Sequence, residues 1–164
     1  MESTKQISLD VGYGSNPKGT VNVDFFREGY NPQTGDQKKG EYVRAQNIEN
    51  FIVGDAMHLP FKDEVFDVVF STHVIEHVAD PAGMLREMNR VCKGKMIVCC
   101  PHRKGSNAKK PFHINYLDEV WFQRVASSMG LNMQYSIAYE YPVLRGLVNV
   151  VPRKLRLKLK RMVR

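Results

Sequence analysis

Disulfide frameworks, membrane spans and phosphate-cradling loops are all missing from this sequence. The three cysteines, Cys92, Cys99 and Cys100, are odd in number and two are adjacent. That pattern does not build a disulfide scaffold. Without a C-x-x-C pair no zinc site is indicated, and no metal ligand is expected anywhere in the chain. A reducing cytosol is the expected compartment. No stretch approaches the roughly 20 apolar residues of a membrane span. The opening residues, MESTKQ, lack an apolar signal-peptide core. The phosphate-loop pattern G-x-x-x-x-G-K-[ST] is absent, which disfavours a triphosphate site.

Negative charge is missing from the end of the chain. Residues 153–164 carry seven Lys and Arg and no Asp or Glu, against a net charge of +7 for the whole protein. The body is therefore close to neutral, and the basic balance describes a tail. Leu155, Leu159 and Met162 fall at helical spacing within it, while KLRLKLK also alternates with period two. Three readings stay open. The tail lies on an anionic membrane surface, it contacts RNA or another polyanion, or it only solubilises the chain. It has no aromatic residue for base stacking.

What is present fits one soluble domain. The 164 residues are 43% apolar and 25% charged, ordinary values for a packed core. Short apolar runs at Ile7–Val11, Thr20–Asp24, Phe51–Val53, Val65–Thr72 and Lys95–Pro101 read as strands. VFDVVFST is β-branched and aromatic almost throughout, as expected for a strand covered on both faces. Residues 27–47 are polar and read mostly as loop, with helix allowed over 40–47. Pro81, behind the cap residue Asp80, starts a helix whose Met84, Leu85, Met88 and Val91 share one face. Lys93-Gly94 is expected to end it. A second helix is expected over Tyr116–Gly130, burying Leu117, Val120, Trp121, Val125 and Met129. A sixth strand over residues 131–140 and a seventh over 146–152 follow. Alternating strands and helices imply a mostly parallel sheet of six to seven strands, in a Rossmann-like three-layer α/β sandwich.

Ligands of such sheets sit beyond the carboxyl ends of the strands. Three acids follow the first three strands there: Asp10, Asp24 and Asp55. Gly12 and Gly14 free the backbone to approach a ligand. Each alone has a plain alternative, as a turn glycine or a strand-end turn residue. Together they make an acidic rim, which suits a cationic nucleoside better than a polyphosphate. Beyond the fourth strand stand Ser71, Thr72, His73, Glu76 and His77. His73, His77, His102 and His113 are the candidate bases. Cys99 and Cys100 read as buried strand residues.

The stretch LDVGYGSNP resembles the glycine motif of class I S-adenosylmethionine-dependent methyltransferases. GDAMHLPFKDEVFDVVFSTHVIEHVADP and the helix after it resemble the small-molecule (type 11-like) branch of that family, as does HINYLDEVWFQRVASSMGL. The likeness covers roughly residues 7 to 140. It implies a minimal methyltransferase domain over 1–151, with a basic tail over 152–164. The implied cofactor is S-adenosylmethionine. Its implied contacts are Asp10 near the methionine ammonium and Gly12, Tyr13 and Gly14 beneath the cofactor. Asp24, followed by Phe25, lies at the ribose. Asp55 is at the adenine amino group beside Ala56 and Met57, and Ser71, Thr72 and His73 line the methionyl end. His77 and His113 are the implied catalytic candidates. The acceptor is expected to be a small molecule, a sugar or a lipid-linked group. Two departures stand out. Tyr13 stands where the family often has Cys, and the usual third glycine is replaced near Asn16-Pro17, with the helix after the loop shortened or missing. A non-catalytic adaptor and a nucleic-acid methyltransferase are the alternatives, the latter disfavoured because STHV stands where an NPPY-type tetrapeptide would.

Overall fold

The computed structural model describes residues 6–13, 17–25, 48–104, 110 and 112–140, together with 143–151. Gly14, the 26–47 loop and the basic tail lie outside the described residues, as does the helix allowed at 40–47. Seven strands form one sheet: β1 Ser8–Val11, β2 Val21–Asp24, β3 Phe51–Val53, β4 Phe66–Thr72, β5 Cys92–Pro101, β6 Asn132–Glu140 and β7 Val143–Val151. Their order across the sheet is β3-β2-β1-β4-β5-β7-β6. The first five are parallel, and β7 then pairs antiparallel with both β5 and β6. The mostly parallel, Rossmann-like sheet expected from the sequence is present.

Helix α1, Pro81–Val91, forms for the reasons its sequence offers. Asp80 accepts from the amide of Gly83, Pro81 occupies the first turn, and Met84, Leu85, Met88 and Val91 are all buried. Each such side chain contributes roughly 1.5–3 kcal/mol relative to exposure. The helix does not run to Lys93-Gly94. It stops at Val91, and β5 begins at once with Cys92. Gly94 sits inside the strand because a Cβ there would lie 2.1 Å from the Asp67 carbonyl oxygen. The pairing of β4 with β5 shifts register at this point, between Phe66 and Val68. Beyond it the strand alternates cleanly, burying Met96, Val98 and Cys100.

Helix α2, Glu119–Ser128, is capped by Asp118, which accepts from Trp121, and ends before Gly130 at φ +67°. Leu117, just before the helix, is buried as expected, but the rest of the expected stripe is shifted. Phe122 and Ala126 are the buried positions, Trp121, Val125 and Met129 pack at the margin, and Val120 is 60% exposed. One core joins α1, α2 and the inner strands, with Leu9, Phe66, Val69, Ile75 and Phe122 near its centre.

The link between β1 and β2 spans only residues 12–20. Parallel neighbours are ordinarily joined by a dozen or more residues containing a helix. Here, hydrogen bonds to the strands replace the helix. The Thr20 hydroxyl donates to the Ser8 carbonyl and accepts from the Ser8 amide, and the Ser8 hydroxyl accepts from Thr20 N–H. Buried Asn22 accepts from Gly19 and donates to the carbonyls of Gly19 and Glu49.

Candidate active site

All five parallel strands end on one rim, and most of the described candidate residues stand along it. Asp10, on β1, is 3% exposed, and its Oδ2 accepts from the amide of Lys18 at 3.0 Å. Burial raises its pKa to about 6, with the Asp24 charge adding to the rise and the Lys18 contacts opposing it. Asp10 thus ties down the far side of the glycine loop. Gly12 follows at φ +73°, donating to the Val23 carbonyl at 2.8 Å, and a Cβ there would meet a Val74 methyl at 2.2 Å. No side chain fits, so the loop lies flush against the turn after β4.

Tyr13 turns inward, with its ring edge-on to Phe51 at 5.4 Å. Among the described residues nothing pairs with its buried hydroxyl. Burial and the Asp24 charge push its pKa up to about 12. Asp24 closes β2, with its carbonyl accepting from Gly54, and Phe25 beside it is exposed. Asp55 shapes a tight turn, its Oδ1 accepting from Met57 N–H at 2.8 Å and its Oδ2 lying 3.5 Å from His58 Nδ1. The turn-residue role is the one these bonds display.

That turn is held from behind by a clamp that the motif LPFKD supplies. Arg90 of α1 donates to the carbonyls of Leu59 and Phe61 and to Asp63, and pairs through two nitrogens with Glu87. Glu87 in turn accepts from Leu59 N–H. Leu59 is buried and Phe61 stacks edge-on against Phe66 at 4.9 Å. Much of what makes this motif recognisable is therefore support for the Asp55–Met57 turn.

Beyond β4, the Ser71 hydroxyl is buried and donates to the Val11 carbonyl, tying β4 to β1. Thr72 is exposed on the rim. His73 has φ +59°, a conformation costing a non-glycine residue roughly 1–3 kcal/mol. Its amide donates to the Cys99 carbonyl, and its Nδ1 lies 3.1 Å from Glu76 Oε1. A strap formed by residues 112–116 crosses this turn. Ile114 and Asn115 amides donate to the Glu76 carbonyl, and Asn115 Nδ2 donates to Ile75 and Val78. The strap sets His113 edge-on to His77 at 4.7 Å, while His77 Nδ1 lies 3.0 Å from the Phe112 carbonyl.

Asp10, Gly12, Tyr13, Asp24 and the turn after β4 are thus brought together, and His77 meets His113. His102 stands apart, buried and accepting from the Lys104 amide. Of the two cysteines expected to be buried in the strand, Cys100 is buried, whereas Cys99, on the other face of β5, is only half-buried; burial raises the thiol pKa of Cys100 and of Cys92, which is also buried. Three contributors carry no assignment from the sequence. Val74 closes on Gly12, Asn22 organises the short link, and Glu76 is buried between histidines. Only Glu76 offered a signal, as an acid directly before a histidine.

The strand order and the rim define a Rossmann-like fold of the methyltransferase type. Residues 18–100, half of the chain, match the family described as methyltransferase domain. The chain belongs to this family, the class I S-adenosylmethionine-dependent methyltransferases. Among curated relatives, it is 49% identical over 52 residues to norajmaline N-methyltransferase of Rauvolfia serpentina, covering 30% of this chain and 18% of that protein. It is 45% identical over 60 residues to demethylmenaquinone methyltransferase of Staphylococcus haemolyticus, covering 36% of this chain and 25% of that one. The matches thus span a quarter or less of these relatives. A solved S-adenosylmethionine-dependent methyltransferase from Methanosarcina mazei superposes with a TM-score of 0.67 at 14% identity, covering 92% of this chain and 93% of that one. That likeness is one of fold.

Proposed function

We propose that the protein transfers the methyl group of S-adenosylmethionine to a small-molecule, sugar or lipid-linked acceptor. The observation that carries this is the pairing of Asp10 and Asp24 on adjacent strand ends, each within reach of the other's charge, around a loop whose Gly12 leaves no room for a side chain. Two carboxylates on one rim fit a cationic nucleoside and oppose a polyphosphate. When bound, the cofactor supplies a sulfonium already activated for methyl transfer. The chain's own part is placement. Asp10 faces the methionine ammonium, Gly12, Tyr13 and Gly14 pass beneath it, and Asp24 with Phe25 holds the ribose. Asp55, Ala56 and Met57 border the adenine, and Ser71, Thr72 and His73 line the methionyl end. Holding the acceptor in line with the methyl group supplies most of the rate. His77 and His113 stand at the acceptor end. The exposed apolar side chains of Phe112, Ile114 and Tyr116 beside them favour an acceptor with apolar surface.

Calorimetry with S-adenosylmethionine and with its demethylated product tests the reading. Asp24→Ala is expected to weaken both by at least tenfold, and Asp55→Ala to weaken them through the adenine end. Absence of binding to either ligand by the unaltered protein would leave a non-catalytic adaptor as the better account. Acceptor screening follows by mass spectrometry, seeking the gain of one methylene mass.

A further inference from the structure

Glu76, His77 and His113 form a cluster that the cofactor site does not use. One ligand atom from each lies within 4.8 Å of the other two. Two further observations aim these atoms. The Phe112 carbonyl can only accept, so the 3.0 Å contact puts the proton of a neutral His77 on Nδ1 and leaves the lone pair on Nε2. A backbone carbonyl holding the distal ring nitrogen is the usual support of a metal-ligating histidine. Glu76 is 2% exposed, and its Oε1 is taken by His73. Among the described residues nothing donates to its buried Oε2. A buried carboxylate oxygen left without a donor is costly and calls for a cation or a proton. His73 and Phe112, which orient Glu76 and His77, are both non-glycine residues at positive φ, +59° and +74°. Backbone strain sits on the two residues that hold the cluster in place.

We propose that Glu76, His77 and His113 bind one divalent transition-metal ion, with zinc as the type ion. Two imidazoles and one carboxylate suit zinc and its neighbours, whereas magnesium and calcium prefer oxygen throughout. Ligand distances of about 2.0–2.2 Å place the three donor atoms roughly 3.3 Å apart. Binding would draw the three donors in from their present spacing of up to 4.8 Å. Three protein ligands leave an open position, as in catalytic rather than structural zinc sites.

Resting on the methyl-transfer reading above, the open position would take a hydroxyl oxygen of the acceptor and lower its pKa. The hydroxyl proton passes to solvent. The oxygen then bonds to the methyl carbon as the carbon–sulfur bond breaks, and that electron pair stays on sulfur. The ligand class is therefore an oxygen acceptor such as a phenol, an enol or a sugar hydroxyl. This departs from the absence of metal ligands expected from the sequence.

The test uses the untagged 164-residue chain freed of metal with a chelator. Titration with zinc chloride is expected to show one equivalent bound with submicromolar Kd. Glu76→Gln, His77→Ala and His113→Ala should each weaken it by tenfold or more, and Cys99→Ser should leave it unchanged. The cobalt-substituted protein should show visible d–d absorption without a sulfur-to-cobalt charge-transfer band. Thermal unfolding of each variant checks that it folds, and His113→Gln is the milder alternative where alanine does not. No zinc binding, or binding unchanged across the three variants, overturns the proposal. S-adenosylmethionine affinity is measured on the same samples. Cofactor binding without zinc binding sinks the metal site alone, and zinc binding without cofactor binding sinks the methyl-transfer reading alone.

Discussion

Asp10 holds a proton in the folded protein over a pH range where the unfolded chain has released it. Its pKa rises from 3.8 to about 6 because burial disfavours the charge. Between those values the native state binds more protons than the unfolded state, so stability falls as pH rises through this window. The contribution is fully present below the lower value and lost above the upper one, a change on the order of 3 kcal/mol. Chemical denaturation from pH 4 to 7 should show this slope, and Asp10→Asn should flatten it. A bound ammonium favours the ionised form, so affinity for S-adenosylmethionine is expected to climb up to about pH 6 and then level off. Calorimetry across that range checks it, and Asp10→Asn should remove the dependence. Gly12 offers a second test at this scale. An alanine there must adopt φ +73° and displace a Val74 methyl from 2.2 Å. Together these cost roughly 2–4 kcal/mol. Scanning calorimetry should show the loss, and adding Val74→Ala should restore only the steric part. Asp10, Gly12 and Asp24 are legible in the sequence because each sits in a short motif at a strand end. Glu76 with His113 is not, because a strap 37 residues further along the chain brings them together.

Helix α1 was legible almost to the residue, since cap, first-turn proline and a four-residue apolar face all agree. Its core side is the stronger anchor. Met88→Ala should cost about 2–5 kcal/mol, because the side chain is wholly buried. Val120→Ala on α2 should stay within about 0.5 kcal/mol, because Val120 faces outward. Urea denaturation of both variants separates the two helices. The apolar positions of α2 wrap too far round the helix for periodicity to choose a face. Packing against the β6–β7 side of the sheet chooses it, and Phe122 and Ala126 go inward. Lys93-Gly94 reads as a helix stop in one dimension. In three dimensions the glycine admits the Asp67 carbonyl of the neighbouring strand, and the pair becomes strand.

Across the whole molecule, β7 is what closes the open side of β5. It pairs with Met96–Pro101 along their length and carries β6 on its other edge. A chain ending at residue 142 would leave the β5 edge bare and is expected to aggregate, while one ending at residue 152 remains dispersed. Size-exclusion chromatography with light scattering distinguishes them. The sequence by itself determined the strand–helix alternation, the mostly parallel sheet and the acid-and-glycine rim, since these depend on period, capping and residues near one another in the chain. Only the tertiary structure decided how a nine-residue link joins two parallel strands, that the LPFKD motif is a clamp held by Arg90, and that two histidines and a buried glutamate share one corner. Each of these depends on contacts between segments far apart in the chain, where hydrogen-bond satisfaction and packing, not local propensity, select the arrangement.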